Sequence, residues 1–262
     1  MKKYHLLNLL LVFFLLPLGA CDKDENLFFS IEDDKKLGEQ VSQEIEADPK
    51  IKILSETQYP AAYGHLRRIT NTILNSGQVK HKDDFVWQTK IIYDDKTLNA
   101  FCTPGGYIYV YTGLIKYLDT EDQLAGVMGH EIAHADKRHT TDQLTKQYGI
   151  SLLLDVVLGT DRSKIVDVAA GMLSLRFSRD HEREADTHSV IYLCPTEYQS
   201  NGAAGFFEKM INEGQGGSVP EFLSTHPNPD NRVQAINNEA TTRGCKTTAS
   251  TRNYQAFKNS LP

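Results

Sequence analysis

The chain has 262 residues, 40% hydrophobic and 24% charged, the composition of an ordinary globular protein long enough for one sizeable core. Its net charge of -6 at pH 7, with no clustered run of Lys and Arg, lacks the electrostatic footprint by which proteins hold nucleic acid. No nucleic-acid partner is expected.

The N-terminus reads as an export signal. Met1-Lys2-Lys3 is a positive start, Leu6 to Leu18 is an almost unbroken apolar run, and Leu18-Gly19-Ala20 leads into Cys21. A charged start, a short apolar stretch and small residues before a cut site describe a secretory signal over residues 1–20, too short for a comfortable spanning helix. The cysteine after Leu-Gly-Ala resembles the bacterial lipobox, which implies lipid attachment at Cys21. Residues 21–29 then read as a polar tether. Several acyl chains would hold the protein on a membrane, where one chain alone is marginal. The expected place is the bacterial cell envelope, lipid-anchored, at the outer membrane facing the periplasm. Export implies an oxidising compartment. With Cys21 taken by lipid, Cys102, Cys194 and Cys245 remain, and the expected pair is Cys194–Cys245.

Ser30 followed three residues later by Asp33 opens a helix to about Glu46, ended by Pro49. Tyr59 to Leu74 is a second helix, with Tyr63, Leu66, Ile69 and Ile73 on one face. Strands are expected at Phe85 to Tyr93, Asn99 to Thr103 and Tyr107 to Thr112, the last two joined by Pro104-Gly105-Gly106. Tyr107, Tyr109 and Tyr111 alternate onto one face of the third strand. Helices follow at Glu121 to Arg138 (capped by Thr120), Thr140 to Leu158, Val166 to Phe177, Ser178 to Cys194, Gly202 to Asn212 and Asn228 to Asn237, with a glycine-rich loop over Glu213 to Ser218. Residues 241–262 are polar and are expected to be loosely ordered apart from Cys245. The fold class is α+β, mainly helical, with a small sheet ahead of the long central helix and one domain over residues 30–240.

The chemistry concentrates in His130-Glu131-Ile132-Ala133-His134. Residues four apart share one helix face, so both imidazoles can reach one Zn²⁺ at about 2.0–2.1 Å. Glu131 can then take a proton from a water at that metal, the general-base role that gives this spacing its use in peptide hydrolysis. A catalytic zinc site takes three protein ligands and leaves a place for water. Glu182 and Asp186, also four apart, offer one carboxylate for the metal and one to accept the N–H of a ligating histidine. His139, His181 and His188 read as surface or core residues.

Together, the HExxH pair and the later Glu182 to Asp186 segment resemble the gluzincin metallopeptidases of peptidase family forty-eight, which include the CAAX prenyl protease and HtpX-type proteases. Asn99 to Ile108 resembles that family's edge strand and hairpin, with Cys102 where a small residue is usual. The resemblance implies that Glu182 is the third zinc ligand and Asp186 the orienting carboxylate. It also implies that His226, in the His226-Pro227 step, and Arg232 face the zinc. There His226 would either help stabilise the oxyanion or bind the metal as a fourth ligand at rest. Without membrane helices, the chain is similar to the short lipoprotein branch, the LoiP-type envelope proteases.

An exposed edge at Asn99, Ala100 and Phe101 could pair with an extended peptide through its backbone, which suits unfolded or misfolded envelope proteins of many sequences. The expectation is a zinc-dependent endopeptidase, with one zinc per chain. The alternative is a zinc-bound chaperone or holdase with little turnover.

Overall fold

The computed structural model describes residues 28–213, 221–227 and 231–262. The expected signal segment, the expected lipid-attachment residue Cys21, residues 22–27 of the expected tether, most of the glycine-rich loop and the start of the helix expected at Asn228 lie outside the described residues. Among the described residues, no helix is long and apolar enough to cross a membrane.

Helix α1 (Ile31–Ala47) starts at Ser30 in a reciprocal box: the Ser30 hydroxyl accepts from Asp33 N at 3.1 Å, and Asp33 accepts from Ser30 N at 2.9 Å. Helix α2 (Pro60–Leu74) begins with Pro60, whose missing N–H costs nothing in a first turn. The strands β1 (Gln88–Ile92), β2 (Ala100–Thr103) and β3 (Tyr107–Tyr111) form one sheet in the order β1-β3-β2. β1 runs parallel to β3, with Gln88 opposite Tyr107, and β2 runs antiparallel, with Phe101 opposite Tyr109. The tight β2–β3 connection places Gly105 at φ 74°, where a Cβ would also lie 2.9 Å from Lys35 Cα.

Both faces of the sheet are covered. Ile91, Cys102, Ile108 and Val110 pack with α2 and with α4 (Glu121–Asp136). On the other face, Ile92, Phe101 and Tyr109 pack with α1, α6 (Ile150–Val157) and α7 (Arg162–Met172). The single helix expected over Thr140 to Leu158 is two, α5 (His139–Tyr148) and α6, because Gly149 turns the chain at φ 80°. The short α3 (Thr112–Tyr117) links the sheet to α4. Helices α8 (Arg179–Leu193), α9 (Gly202–Glu213), α10 (Glu221–Thr225) and α11 (Arg232–Thr242) complete the body.

The C-terminal residues differ from expectation. They form α12 (Tyr254–Lys258), with Phe257 at 0% exposure and stacked on His65. Polar composition suggested loose order, but two aromatics three residues apart are enough to dock one helical turn. Cys194 and Cys245 are joined as a disulfide with Cα atoms 5.0 Å apart, and Cys102 is a free, buried thiol.

Candidate metal centre

α4 is the axis of the site. It opens with a second reciprocal box, Thr120 with Gln123, and is buried over almost its whole circumference. Two glycines let neighbouring helices approach it closely. A Cβ on Gly126 would lie 2.1 Å from Ala203 N of α9, and one on Gly129 would lie 2.7 Å from Ser189 Oγ of α8. Ser189 Oγ donates to Gly126 O at 2.8 Å and fixes the α4–α8 register. α8 begins at Ser178, whose hydroxyl accepts from His181 N at 3.1 Å. Its first turn then carries Glu182 against the histidines of α4.

Four donor atoms converge there. His130, His134, Glu182 and His226 each offer one, all within 4.8 Å of one another. His134 Nε2 faces His130 Nε2 at 3.0 Å and Glu182 Oε1 at 3.4 Å. His226 Nδ1 lies 3.0 Å from Glu182 Oε1 and 3.3 Å from His130 Nε2. Nitrogen and oxygen donors about 2.0–2.1 Å from one tetrahedral ion stand roughly 3.3 Å apart. The four spacings of 3.0–3.4 Å fit that geometry within a set that spreads to 4.8 Å, and the donor types are those that zinc takes.

The surroundings orient this set. His130 Nδ1 lies 2.9 Å from Asp186 Oδ1, which turns the His130 Nε2 lone pair inward. Arg232 donates from Nε to Asp186 Oδ2 at 2.6 Å and from Nη2 to Asp186 Oδ1 at 2.7 Å, and its Nη2 stands 3.0 Å from Glu182 Oε2. Arg232 Nη1 is buried and has no partner among the described residues. Glu131 points both carboxylate oxygens into the same space with no hydrogen-bond partner among the described residues, 3.6 Å from His226 Nε2.

Electrostatics separates the two glutamates. Burial pushes Glu131 up to about 8. A dication beside it would draw that value down again. Burial also works against charge on Glu182, but the pull of His226 and His130 outweighs it and holds Glu182 well below the usual carboxylate range. Burial holds His134 far below the usual imidazole range, in the neutral form that a metal ligand needs.

The site is closed. His130, Glu131, His134, Glu182 and His226 are at most 1% exposed. The Phe177 ring stacks on His134 with centroids 3.9 Å apart, and Phe222 of α10 stacks on His226 at 4.3 Å. Phe222 N donates to Leu98 O at 3.1 Å. β2 is the sheet's edge in hydrogen-bond order, but the exposed edge expected at Asn99, Ala100 and Phe101 is covered, with each residue at most 5% exposed. Thr140 Oγ1 of α5 donates to Cys102 O at 3.1 Å, and the Phe101 side chain packs on the sheet face rather than facing water.

One neighbour escapes a reading by spacing. His139 is buried at 4% exposure, and its Nδ1 lies 3.1 Å from His134 Nδ1. No helical periodicity predicts this contact, because a turn separates the two residues.

A family model described as "Peptidase family M48" matches residues 60–240. The chain belongs to peptidase family M48. Among curated relatives of this M48 chain, "Mitochondrial metalloendopeptidase OMA1" of Arabidopsis thaliana is 32% identical over 157 residues, covering 60% of this chain and 32% of that protein. "Beta-barrel assembly-enhancing protease" of Escherichia coli is 30% identical over 163 residues, covering 57% and 34%. "Metalloprotease YcaL" of Escherichia coli is 29% identical over 152 residues, covering 55% and 59%. The matches thus span between a third and three fifths of these relatives' own lengths.

Proposed function

We propose that this chain is a zinc-dependent endopeptidase that hydrolyses peptide bonds in unfolded or misfolded proteins of the bacterial envelope. The observation that carries the reading is the buried convergence of His130, His134 and Glu182 donors beside a glutamate whose two oxygens have no hydrogen-bond partner among the described residues. Bound there, zinc would supply Lewis acidity, lowering the pKa of a water to about 7 and polarising a carbonyl. Glu131 takes the proton of the attacking water and delivers it to the leaving amine. Asp186 holds the ring of His130, and Arg232 in turn holds Asp186. Arg232, whose Nη2 stands 3.0 Å from Glu182 Oε2 and whose Nη1 has no partner among the described residues, would supply positive charge toward the negative charge developing on the carbonyl oxygen.

His226 is read as a fourth donor in a resting state, since it stands where a catalytic site leaves room for water and substrate. Opening would require the α10 segment to withdraw from Leu98 and free the β2 edge for an extended peptide. The envelope setting and lipid anchoring rest on residues 1–21, and the substrate class rests on backbone recognition by a strand edge. A second reading, a zinc-bound holdase with little turnover, is favoured by the closure of the site. Zinc content and casein cleavage of the unmodified protein and Glu131→Gln separate the two. The expected result is one zinc in each and cleavage only by the unmodified protein. Zinc in both without cleavage by either would support the holdase, and zinc in neither would end both readings.

A further inference from the structure

The turn after α4 brings a residue under the zinc ligand His134. Arg138 sits at φ 59°, a left-handed conformation that costs energy for a side-chain-bearing residue. It is held there by α1: Arg138 donates from Nε to Asp34 Oδ2 at 2.7 Å and from Nη2 to Asp34 Oδ1 at 3.1 Å, and its Nη2 also donates to the carbonyls of Phe29 and Ser30. The next residue, His139, therefore folds back beneath α4 with its Nδ1 3.1 Å from His134 Nδ1. Its other nitrogen, Nε2, faces Glu184 Oε2 at 3.5 Å. Its ring lies flat on His181, with centroids 4.4 Å apart and an interplanar angle of 11°.

We propose that His139 is a positioning residue for the metal, accepting a hydrogen bond from His134 Nδ1–H and thereby fixing the tautomer and ring angle of that ligand. The proposal rests on the zinc reading above. A metal takes the lone pair on His134 Nε2, so the His134 proton must sit on Nδ1. That N–H points at His139 Nδ1, which accepts it only if the His139 proton is on Nε2. Glu184 stands on that side to receive it. All the proton positions are consistent with a single arrangement, running from metal ligand through a second imidazole to a half-buried carboxylate. Partners of this kind, usually carboxylates or carbonyls, raise ligand basicity and are worth about 10–100-fold in metal affinity.

Two substitutions in the full chain separate the hydrogen bond from packing. His139→Phe keeps a flat ring against His181 but removes the acceptor. His139→Asn loses the ring but keeps an oxygen close to the place of Nδ1. The readouts are the zinc dissociation constant by chelator competition and the visible absorption of the cobalt-loaded protein. His139→Phe should bind zinc about 10–100-fold more weakly with a shifted cobalt band, and His139→Asn should recover most of the affinity. Unchanged affinity and band in His139→Phe, or an Asn variant weaker than Phe, would overturn the proposal. If His139→Phe does not fold, Glu184→Ala decides instead: several-fold weaker zinc binding is expected, and unchanged binding counts against the proposal. An unmodified protein that binds no zinc would be a failure of the zinc reading itself, visible before any variant is compared.

Discussion

The clasp between α1 and the end of α4 gives a quantitative prediction. Asp34 is 1% exposed and accepts from Arg138 Nε, Arg138 Nη2 and Thr141 Oγ1, the last at 2.9 Å. Arg138 is itself only 5% exposed. Asp34→Ala removes every carboxylate contact and leaves a guanidinium buried with two carbonyls for company. Breaking a buried ion pair from one side costs about 3–5 kcal/mol. At roughly 2–4 °C per kcal/mol for a chain of this size, Tm should fall by roughly 6–20 °C. Thermal unfolding followed by circular dichroism, with and without zinc, measures it. Replacing both partners, Asp34→Ala with Arg138→Ala, should cost less than the sum of the two single changes, because the second no longer strands a charge. A fall under about 2 °C, the range of an ordinary surface substitution, would refute the view that this pair holds the turn.

Three further outcomes are expected. Burial works against charge on Glu121, but donors from Arg68 (Nη2 at 2.8 Å) and Tyr198 (2.7 Å) outweigh it and hold the carboxyl below 4.5. The unfolded chain then binds the proton first as pH falls. The stability this group gives is present above about 4.5 and lost through the lowered folded value, and Glu121→Gln should flatten that limb of a Tm-against-pH curve. Reducing Cys194–Cys245, which are separated by 51 positions, should cost about 4 kcal/mol by chain entropy, read as a drop in urea midpoint on adding reductant; no drop would refute the chain-entropy account of this tie. His226→Ala should retain one zinc on the remaining three donors and cleave casein faster than the unmodified protein, whereas loss of the metal would make His226 an obligatory ligand.

The parts of the site legible in the sequence are those set by helical geometry. His130 and His134, like Glu182 and Asp186, sit four apart on α4 and α8, and the structure brings both pairs to one point. His226 follows a short helix and Arg232 starts another, so no periodicity flags them; only the resemblance of the His226-Pro227 step placed them there. His139 was missed because its contact depends on a left-handed turn at Arg138, and a non-glycine residue gives no local sign of that conformation. The same holds for the covered edge. Asn99 to Thr103 read as a strand, but whether Phe222 and Thr140 meet the carbonyls of Leu98 and Cys102 depends on packing between distant segments. The break at Gly149 and the docking of α12 are nearer misses, since the glycine and the Tyr254–Phe257 pair are visible signals that polar neighbours outweighed.

The covalent tie between Cys194 and Cys245 also bears on how the protein should be handled. It closes a ring of chain that holds α9, α10 and α11, and with them His226 and Arg232. One cut anywhere inside that ring opens it without releasing either piece. On a gel run without reductant, a clipped molecule and an intact one would carry the same mass but for one water. A preparation that trims itself during storage would pass as homogeneous while its α10 segment hung from one end only. Paired lanes with and without reductant would expose the clipped fraction.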